Sequence, residues 1–485
     1  MLLRNLLAEI GAECLLPDQS VTCVTERAER ASPGSLFVAV RGNRTDGHSL
    51  IEQVLKQGAC GAVVSSDSFY AGHPRCIPVP DTRQALALLN RALAGHPQKK
   101  LTVIAVTGTC GKSTVTHMLY HIFRELAISC GLIGTVFCDD GTDRFSARQT
   151  TPCAEELWPL LARMASAGCR YCFMEASSQA IAQGRLIGLI PEIGIFTNFS
   201  QDHLDAHGSI QAYFEAKCRL MIQSRQRLIG SDDPRLAQLF RQLDGVKYRF
   251  GFEPEADYAA DSFEPAAGGV AFSIRCGAEK IPVFLPLVGR FSAENAATAI
   301  AAAHLLGIPI KKSSACLADY RPLPGRTEWI AQERGVRVMV DFAHTPSGLR
   351  AVLSALKAIC RGKLLLVFGC GGERDRSKRP KMAEAAVAFA DRIVVTDDNP
   401  RREDPEQIIS DFLPVLQASG ADYEVIRPRE KAIRAALSRA RAGDIVLLAG
   451  KGHETVQLVG DETRPLEERA VVRAYYEANR PQKTE

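Results

Sequence analysis

Residues 101–114, LTVIAVTGTCGKST, constrain the fold of this 485-residue chain more than any other stretch. The apolar run from Val103 to Val106 leads straight into Thr107-Gly108-Thr109-Cys110-Gly111-Lys112-Ser113-Thr114, and an amphipathic segment, residues 115–126, follows. Strand, glycine turn and helix in that order make a phosphate loop. The glycines let backbone N–H groups turn inward, and the helix N-terminus adds positive potential. Lys112 supplies a charge for β- and γ-phosphates, and Ser113 or Thr114 can hold Mg²⁺ through a hydroxyl. The strict form of the loop has glycine where Val106 stands, so the match is to a variant. The stretch predicts a nucleotide site.

A single core rarely grows past about 250–300 residues, so two to four domains are expected. The predicted class is α/β, in three domains: residues 1–97, 98–324 and 325–485. In the first, residues 35–41 (SLFVAVR) and 62–65 read as strands, and residues 47–58 and 82–94 as helices. The polar GHPQKK at 95–100 reads as a linker. In the second, residues 154–168, 209–223 and 295–306 read as helices, and 171–175, 193–198 and 281–287 as strands. Such alternation predicts a largely parallel sheet. Pro322-Leu323-Pro324-Gly325 breaks the rhythm, which restarts with strands at 338–342, 364–368, 392–396 and 444–449. A doubly wound third domain follows.

Other classes fit poorly. The net charge of +4 is too small to argue for nucleic acid, and basic residues are interleaved with acids without an aromatic–basic stripe. The fifteen cysteines form no small secreted framework, which predicts reduced thiols in a cytoplasmic protein. MLLRNLLAEIGAECLL carries Glu9 and reads as a first helix rather than a signal peptide. No run of eighteen apolar residues predicts a membrane span.

Chemistry gathers where strands end, which is where open parallel sheets bind ligands. Glu175 follows one apolar strand and Thr197-Asn198-Phe199-Ser200-Gln201-Asp202-His203-Leu204-Asp205 follows another. Glu175 and His203 with a loop hydroxyl suit a Mg²⁺–phosphate site. Lys217 shares a helical stripe with Ile210, Tyr213, Phe214, Leu220 and Met221, so it either snorkels or sits inside with a depressed pKa. In the last domain four charged clusters each follow a strand: DFAHTP at 341–346, GCGGERDRSKRP at 369–380, DDNPRR at 397–402 and GKGHE at 450–454. Together they describe a site for a charged substrate facing the nucleotide.

These motifs, taken in order over nearly the whole chain, resemble the Mur ligases, ATP-dependent amide-forming enzymes of peptidoglycan synthesis. Residues 32–42 with Asp46-Gly47-His48, Thr150-Thr151-Pro152 and Gly325-Arg326 add to the match. The resemblance implies an N-terminal UDP-binding domain, a central P-loop ATPase-like parallel sheet and a C-terminal Rossmann-like domain. Within the family it points to the member that adds the third residue to UDP-N-acetylmuramoyl-L-alanyl-D-glutamate, with no nucleic-acid or membrane partner and a monomeric chain. Asp398-Asn399-Pro400-Arg401 is similar to the motif used for meso-diaminopimelate, and Arg401 offers a planar fork for a distal carboxylate that lysine lacks.

The resemblance also implies roles. Thr109, Cys110, Gly111, Lys112, Ser113 and Thr114 hold the ATP phosphates, with Asn295, Arg326 and His344 as further nucleotide contacts. Glu175 and His203, with Ser113, bind Mg²⁺, and Lys217 matches a lysine that is carbamylated to present a carboxylate to a second Mg²⁺. Lys112, Lys217, His203 and Glu175 form the catalytic set. Thr150, Thr151, Ser177, Gln183 and Arg185 match UDP-substrate contacts; Arg379, Asp398, Asn399, Pro400, Arg401, Gly450 and Glu454 match diaminopimelate contacts. Four places depart from the pattern: Arg27-Ala28-Glu29 for Asp-Ser-Arg, Gln179 for His, Ser292 for Asn, and Glu467-Glu468-Arg469 for Asp-Asp-Arg.

The implied reaction passes through an acyl-phosphate, with closure of the third domain excluding water. Alternatives are a lysine-adding ligase, a paralogue with another acceptor, and a nucleotide-binding regulatory or transport protein using the phosphate loop alone.

Overall fold

In the computed structural model, described for residues 1–42 and 45–480, the chain divides into two compact units. One comprises residues 1–107, 123–195 and 216–227; the other comprises 108–122, 196–215 and 228–485.

The first unit opens with a four-stranded parallel sheet, Cys23–Thr25, Ser35–Val38, Gly61–Ser65 and Cys76–Val79, paired in chain order. Phe37, Ala39, Ile51, Val54, Ala62 and Val64 form its core. The helix Thr82–Leu93 starts at Asp81, whose carboxylate accepts from the N–H groups of Arg83 and Gln84. Farther along, Thr102–Thr107, Tyr171–Glu175 and Cys130–Ile133 are parallel neighbours. Phe137–Asp139 and Arg144–Ser146 then add an antiparallel edge that the alternating pattern did not predict.

In the second unit, Tyr258–Ala266, Gly269–Cys276 and Glu279–Leu285 form an antiparallel meander. Only its last strand was read from sequence, so the central region is less uniformly parallel than expected. Beyond it stands a six-stranded sheet in the order Glu328–Glu333, Val336–Asp341, Ile445–Ala449, Leu364–Phe368, Arg392–Val395 and Tyr423–Val425. All but the first strand run parallel. Alternation along each strand splits its apolar residues between two faces. Leu364, Leu366 and Phe368 pack under the helices Pro346–Ile359 and Lys378–Phe389. Leu365 and Val367 pack with Ile433, Leu437 and Val472 of Arg429–Arg439 and Glu468–Ala478. This is the doubly wound arrangement, and it brings the ends of four strands to one edge.

Candidate functional site

The phosphate loop is built as the sequence predicts, with one shift: its helix begins at Lys112 and runs to Glu125. Gly108 and Gly111 hold φ values of +146° and +85°. A Cβ on Gly108 would collide with Thr197 Oγ1, and one on Gly111 with Asn295 Oδ1, so the cradle admits only glycine. The loop is gripped from the 196–205 segment. Asn198 Oδ1 accepts from the Cys110 N–H at 2.9 Å and Asn198 O from the Thr109 N–H at 3.0 Å. Thr109 Oγ1 donates to Ser200 O at 3.1 Å and accepts from Ser200 N at 3.0 Å. Lys112 Nζ bends back to Gly108 O and Thr109 O at 2.9 and 3.0 Å, and Arg326 Nη2 reaches Ser113 Oγ at 3.3 Å. Inward N–H groups at a helix N-terminus, a lysine and an arginine fit a polyphosphate. Asn198 was not singled out from sequence, because its role lies in a partner 88 positions away.

The role of Asp202, named only within the 197–205 segment, is a second feature that sequence reasoning missed. Asp202 is 4% exposed. His203 Nε2 and His344 Nε2 approach its Oδ2 at 3.4 and 3.6 Å, and Lys378 Nζ lies 3.4 Å from Oδ1. Burial alone would raise the Asp202 carboxyl, but the His344 hydrogen bond and the charges of His344, Lys378 and His203 hold it well below the usual range. Both predicted ligand-binding histidines therefore share one anionic anchor. His203 itself sits at φ +54°, and Thr327, Glu373 and Arg401, in the other motifs, are also left-handed. Such strain gathers at functional sites.

Arg326 is set by the turn before it. Asp341 Oδ2 accepts from the Thr327 N–H at 2.7 Å and Oδ1 from the Ala343 N–H at 2.7 Å. The guanidinium lies 4.4 Å from the centre of the Phe342 ring, whose centroid is 5.4 Å from that of His453. Gly325, at φ +70°, packs on the backbone of Gly452 and His453, and a Cβ there would overlap both. The expected result for Gly325→Ala is misplacement of the Arg326 turn and loss of about 2 kcal/mol or more of stability. Urea unfolding measures the second effect, and the nucleotide KM reads the first.

At the edge expected to take the amino acid, Arg401 Nη1 donates to Gly372 O at 2.8 Å and lies 3.4 Å from Asn399 O. Asn399 is 4% and Asp398 8% exposed. Gly450, at φ +111°, leaves room for the Asp398 carboxylate that a Cβ would crowd. Pro400 is part of the same buried turn. Arg379 is fully buried between Glu403 and Asp411, each at 2.8 Å, with Nη2 3.5 Å from Gly371 O.

The pH dependence of stability follows from two groups here. The Arg379 hydrogen bond, opposed by burial and aided by the Glu373 N–H, takes Glu403 from 4.5 down to about 2. Its stabilising contribution is complete above the unfolded value and is lost as pH falls through about 2. Burial and the neighbouring Arg326 lower His453 from 6.5 to about 4. Between those values the unfolded chain binds the proton that the folded chain refuses, so stability falls as pH drops from 6.5 to 4. Denaturation midpoints over this range should show that slope, and His453→Gln should flatten it.

The first unit carries the remaining predicted residues. Glu175 is 2% exposed and accepts from Thr135 N at 2.6 Å on one oxygen and Thr135 Oγ1 at 2.9 Å on the other. Thr135 Oγ1 also reaches Thr150 Oγ1 at 3.1 Å. Thr151 Oγ1 donates to Glu175 O at 2.8 Å and accepts from Ser177 N at 3.0 Å, while Ser177 caps the helix Ser178–Ala182 that contains Gln179. Lys217 is 1% exposed, so its side chain lies inside rather than snorkelling to the surface. A cavity of about 150 Å³ is lined by Arg27, Arg83, Arg185, Gln149 and Gln183, among others. Arg185 Nη1 donates to Thr151 O at 2.7 Å, and Gln183 Oε1 accepts from Arg185 Nη2 at 2.7 Å. The departing residue Arg27 pairs with Glu156 at 3.3 Å. Three guanidiniums outnumber the single Glu26 carboxylate around this cavity, which suits an anionic ligand. Among the described residues, no three His, Cys, Asp or Glu side chains gather into a metal cage, and no helix is long and apolar enough to cross a membrane.

A phosphate-loop protein with a charged strand-end site is the class that fold and site define. The Mur ligase middle domain matches residues 106–303, the Mur ligase glutamate ligase domain 325–452 and the Mur ligase family catalytic domain 20–93. The UDP-N-acetylmuramoyl-L-alanyl-D-glutamate–2,6-diaminopimelate ligase of Gloeobacter violaceus is 39% identical over 468 residues, 95% of each chain. That of Geobacillus thermodenitrificans is 38% identical over 457 residues, 92% of this chain and 93% of its own. A solved structure of a ligase of the same name is 30% identical with a TM-score of 0.68, covering 95% of both chains. The MurF ligase of Thermotoga maritima, solved with ADP, shares the fold at 20% identity and a TM-score of 0.64, over 89% of this chain and 94% of its own. The chain belongs to the Mur ligase family of ATP-dependent ligases.

Proposed function

We propose that this protein joins meso-diaminopimelate to the γ-carboxylate of D-Glu in UDP-MurNAc-L-Ala-D-Glu, in the cytoplasm and as a monomer, during peptidoglycan precursor synthesis. Residues 1–97, 98–324 and 325–485 are its UDP-substrate, ATP and amino-acid domains. The observation that carries the choice of amino acid is Arg401. Its guanidinium is half-buried, and burial and Arg374 both disfavour its charge. Among the described residues only Nη1 is engaged by protein acceptors, which leaves an edge of the fork for a carboxylate. Diaminopimelate has that distal carboxylate and lysine does not.

The residues then divide the work. Lys112 and the loop N–H groups hold the γ-phosphate, with Thr109, Cys110, Gly111, Ser113 and Thr114 shaping the cradle and Asn295, Arg326 and His344 holding the nucleotide. The D-Glu γ-carboxylate attacks the γ-phosphorus, releasing ADP and leaving an acyl-phosphate. The diaminopimelate amine attacks that carbonyl, Lys112 and Arg326 stabilise the developing charge, and phosphate departs. Ser113, Glu175 and His203 are assigned to Mg²⁺, a hard cation usually held by one or two carboxylates plus substrate phosphates, and it would supply charge neutralisation. Lys217, buried on its helix, is the residue assigned to carbamylation. Thr150, Thr151, Ser177, Gln183 and Arg185 take the UDP substrate; Arg379, which the resemblance makes a diaminopimelate contact, is fully buried and braces that site through Glu403 and Gly371 O instead.

Product mass after incubation with each amino acid tests this. The UDP-tripeptide with diaminopimelate is expected. With Arg401→Ala, the KM for diaminopimelate should rise about ten- to hundredfold, and any residual use of L-lysine should be unchanged. Equal use of lysine by the wild type would overturn the assignment.

A further inference from the structure

Lys451 is the group at this edge that no role above uses. Its side chain is wholly buried. Nζ donates to Asn399 Oδ1 at 3.0 Å and to Glu454 Oε2 at 2.8 Å. Asn399 Nδ2 closes the triangle by donating to the same Glu454 oxygen at 2.7 Å, and Leu458 N adds a second donor to Asn399 Oδ1 at 3.0 Å. The amide orientation is thereby determined: the oxygen faces two donors and the nitrogen faces the carboxylate.

We propose that Lys451 is a positioning residue for the amino-acid substrate, holding the Glu454 carboxylate, together with Asn399, in the one geometry that receives the ammonium end of a zwitterion whose carboxylate lies on Arg401. This rests on the reading of residues 398–401 and 450–454 as the diaminopimelate site. Both bonds to Glu454 fall on Oε2, and Oε1 takes no hydrogen bond among the described residues. The carboxylate is about one-third exposed, while the lysine beneath it is fully covered. A buried ammonium that pairs with one oxygen fixes the plane of the carboxylate and aims the other oxygen outward. The same lysine ties the 450–454 loop to Asn399, whose O accepts from Gly372 N at 2.9 Å. Arg401 bonds that same Gly372, so the receptors for the two ends of the zwitterion share one frame.

The test separates amino-acid capture from earlier chemistry. In Lys451→Met, acyl-phosphate formation from ATP and UDP-MurNAc-L-Ala-D-Glu, trapped with hydroxylamine in the absence of amino acid, should match the wild type. The KM for diaminopimelate should rise about ten- to hundredfold, with the KM for ATP unchanged. In a Glu454→Gln background the lysine substitution should add little, because the carboxylate it orients is gone. Hydroxamate formation that falls in step with ligation would show a structural role only, and an unchanged diaminopimelate KM would show no role; either overturns the proposal. Absence of diaminopimelate dependence in the wild type would instead overturn the functional reading beneath it.

Discussion

Lys112→Ala should lower the rate of ligation by about 10²–10³-fold while leaving the protein folded. The side chain lies in the loop, with Nζ on Gly108 O and Thr109 O. Removing one preorganised charge from a developing phosphoryl transition state costs on this order. The backbone cradle survives the change, because Thr109 and Cys110 are held by Asn198 rather than by the lysine. Nucleotide binding should therefore weaken less than kcat falls. Steady-state kinetics with a thermal melt as control measures both, and near-wild-type ligation would remove Lys112 from the reaction.

Glu468→Ala should be the most destabilising of the changes considered, by about 3–5 kcal/mol. Arg429 and Glu468 are 0% and 1% exposed, with Nε donating to Oε1 at 2.7 Å. The other arms of Arg429 reach Ala449 O at 2.8 Å and Asp397 O at 3.3 Å, the ends of two strands that carry amino-acid motifs. Deleting the carboxylate strands a buried cation against the sheet. Replacing both partners with apolar residues, Arg429→Met with Glu468→Leu, should recover much of the loss. Guanidinium unfolding of the single and double variants is the measurement, and a single variant as stable as the wild type would contradict the reading.

Sequence was most informative where period and punctuation agreed. The phosphate loop was legible because an apolar strand runs into glycines and a helical stripe follows. The strands at 364–368 and 445–449 were legible because continuous apolar runs suit a sheet covered on both faces. The alanine-rich helix was read from residue 295, whereas it begins at Arg290 just after Gly289; the first turn, Arg-Phe-Ser-Ala, lacks the later alanine pattern. The meander at 258–285 was largely missed because a register shift between Asp261 and Glu264 interrupts its alternation. The Asp202 anchor, the Arg429–Glu468 pair and the Lys451 triangle were illegible for a different reason. Each joins positions far apart in the chain, and a single sequence carries no record of which distant charges meet. Of the four departures from the family pattern, three acquire side-chain partners: Arg27 pairs with Glu156, Ser292 Oγ donates to Val288 O at 2.7 Å, and Glu468 pairs with Arg429.

Coupling of ATP cleavage to diaminopimelate addition is the reaction proposed for this chain. Phosphate release from ATP, measured with UDP-MurNAc-L-Ala-D-Glu and either meso-diaminopimelate or L-lysine, tests it most directly. Sustained release that requires diaminopimelate, with little from lysine, is the predicted result. Release that proceeds equally with neither amino acid, or that follows lysine, would contradict it.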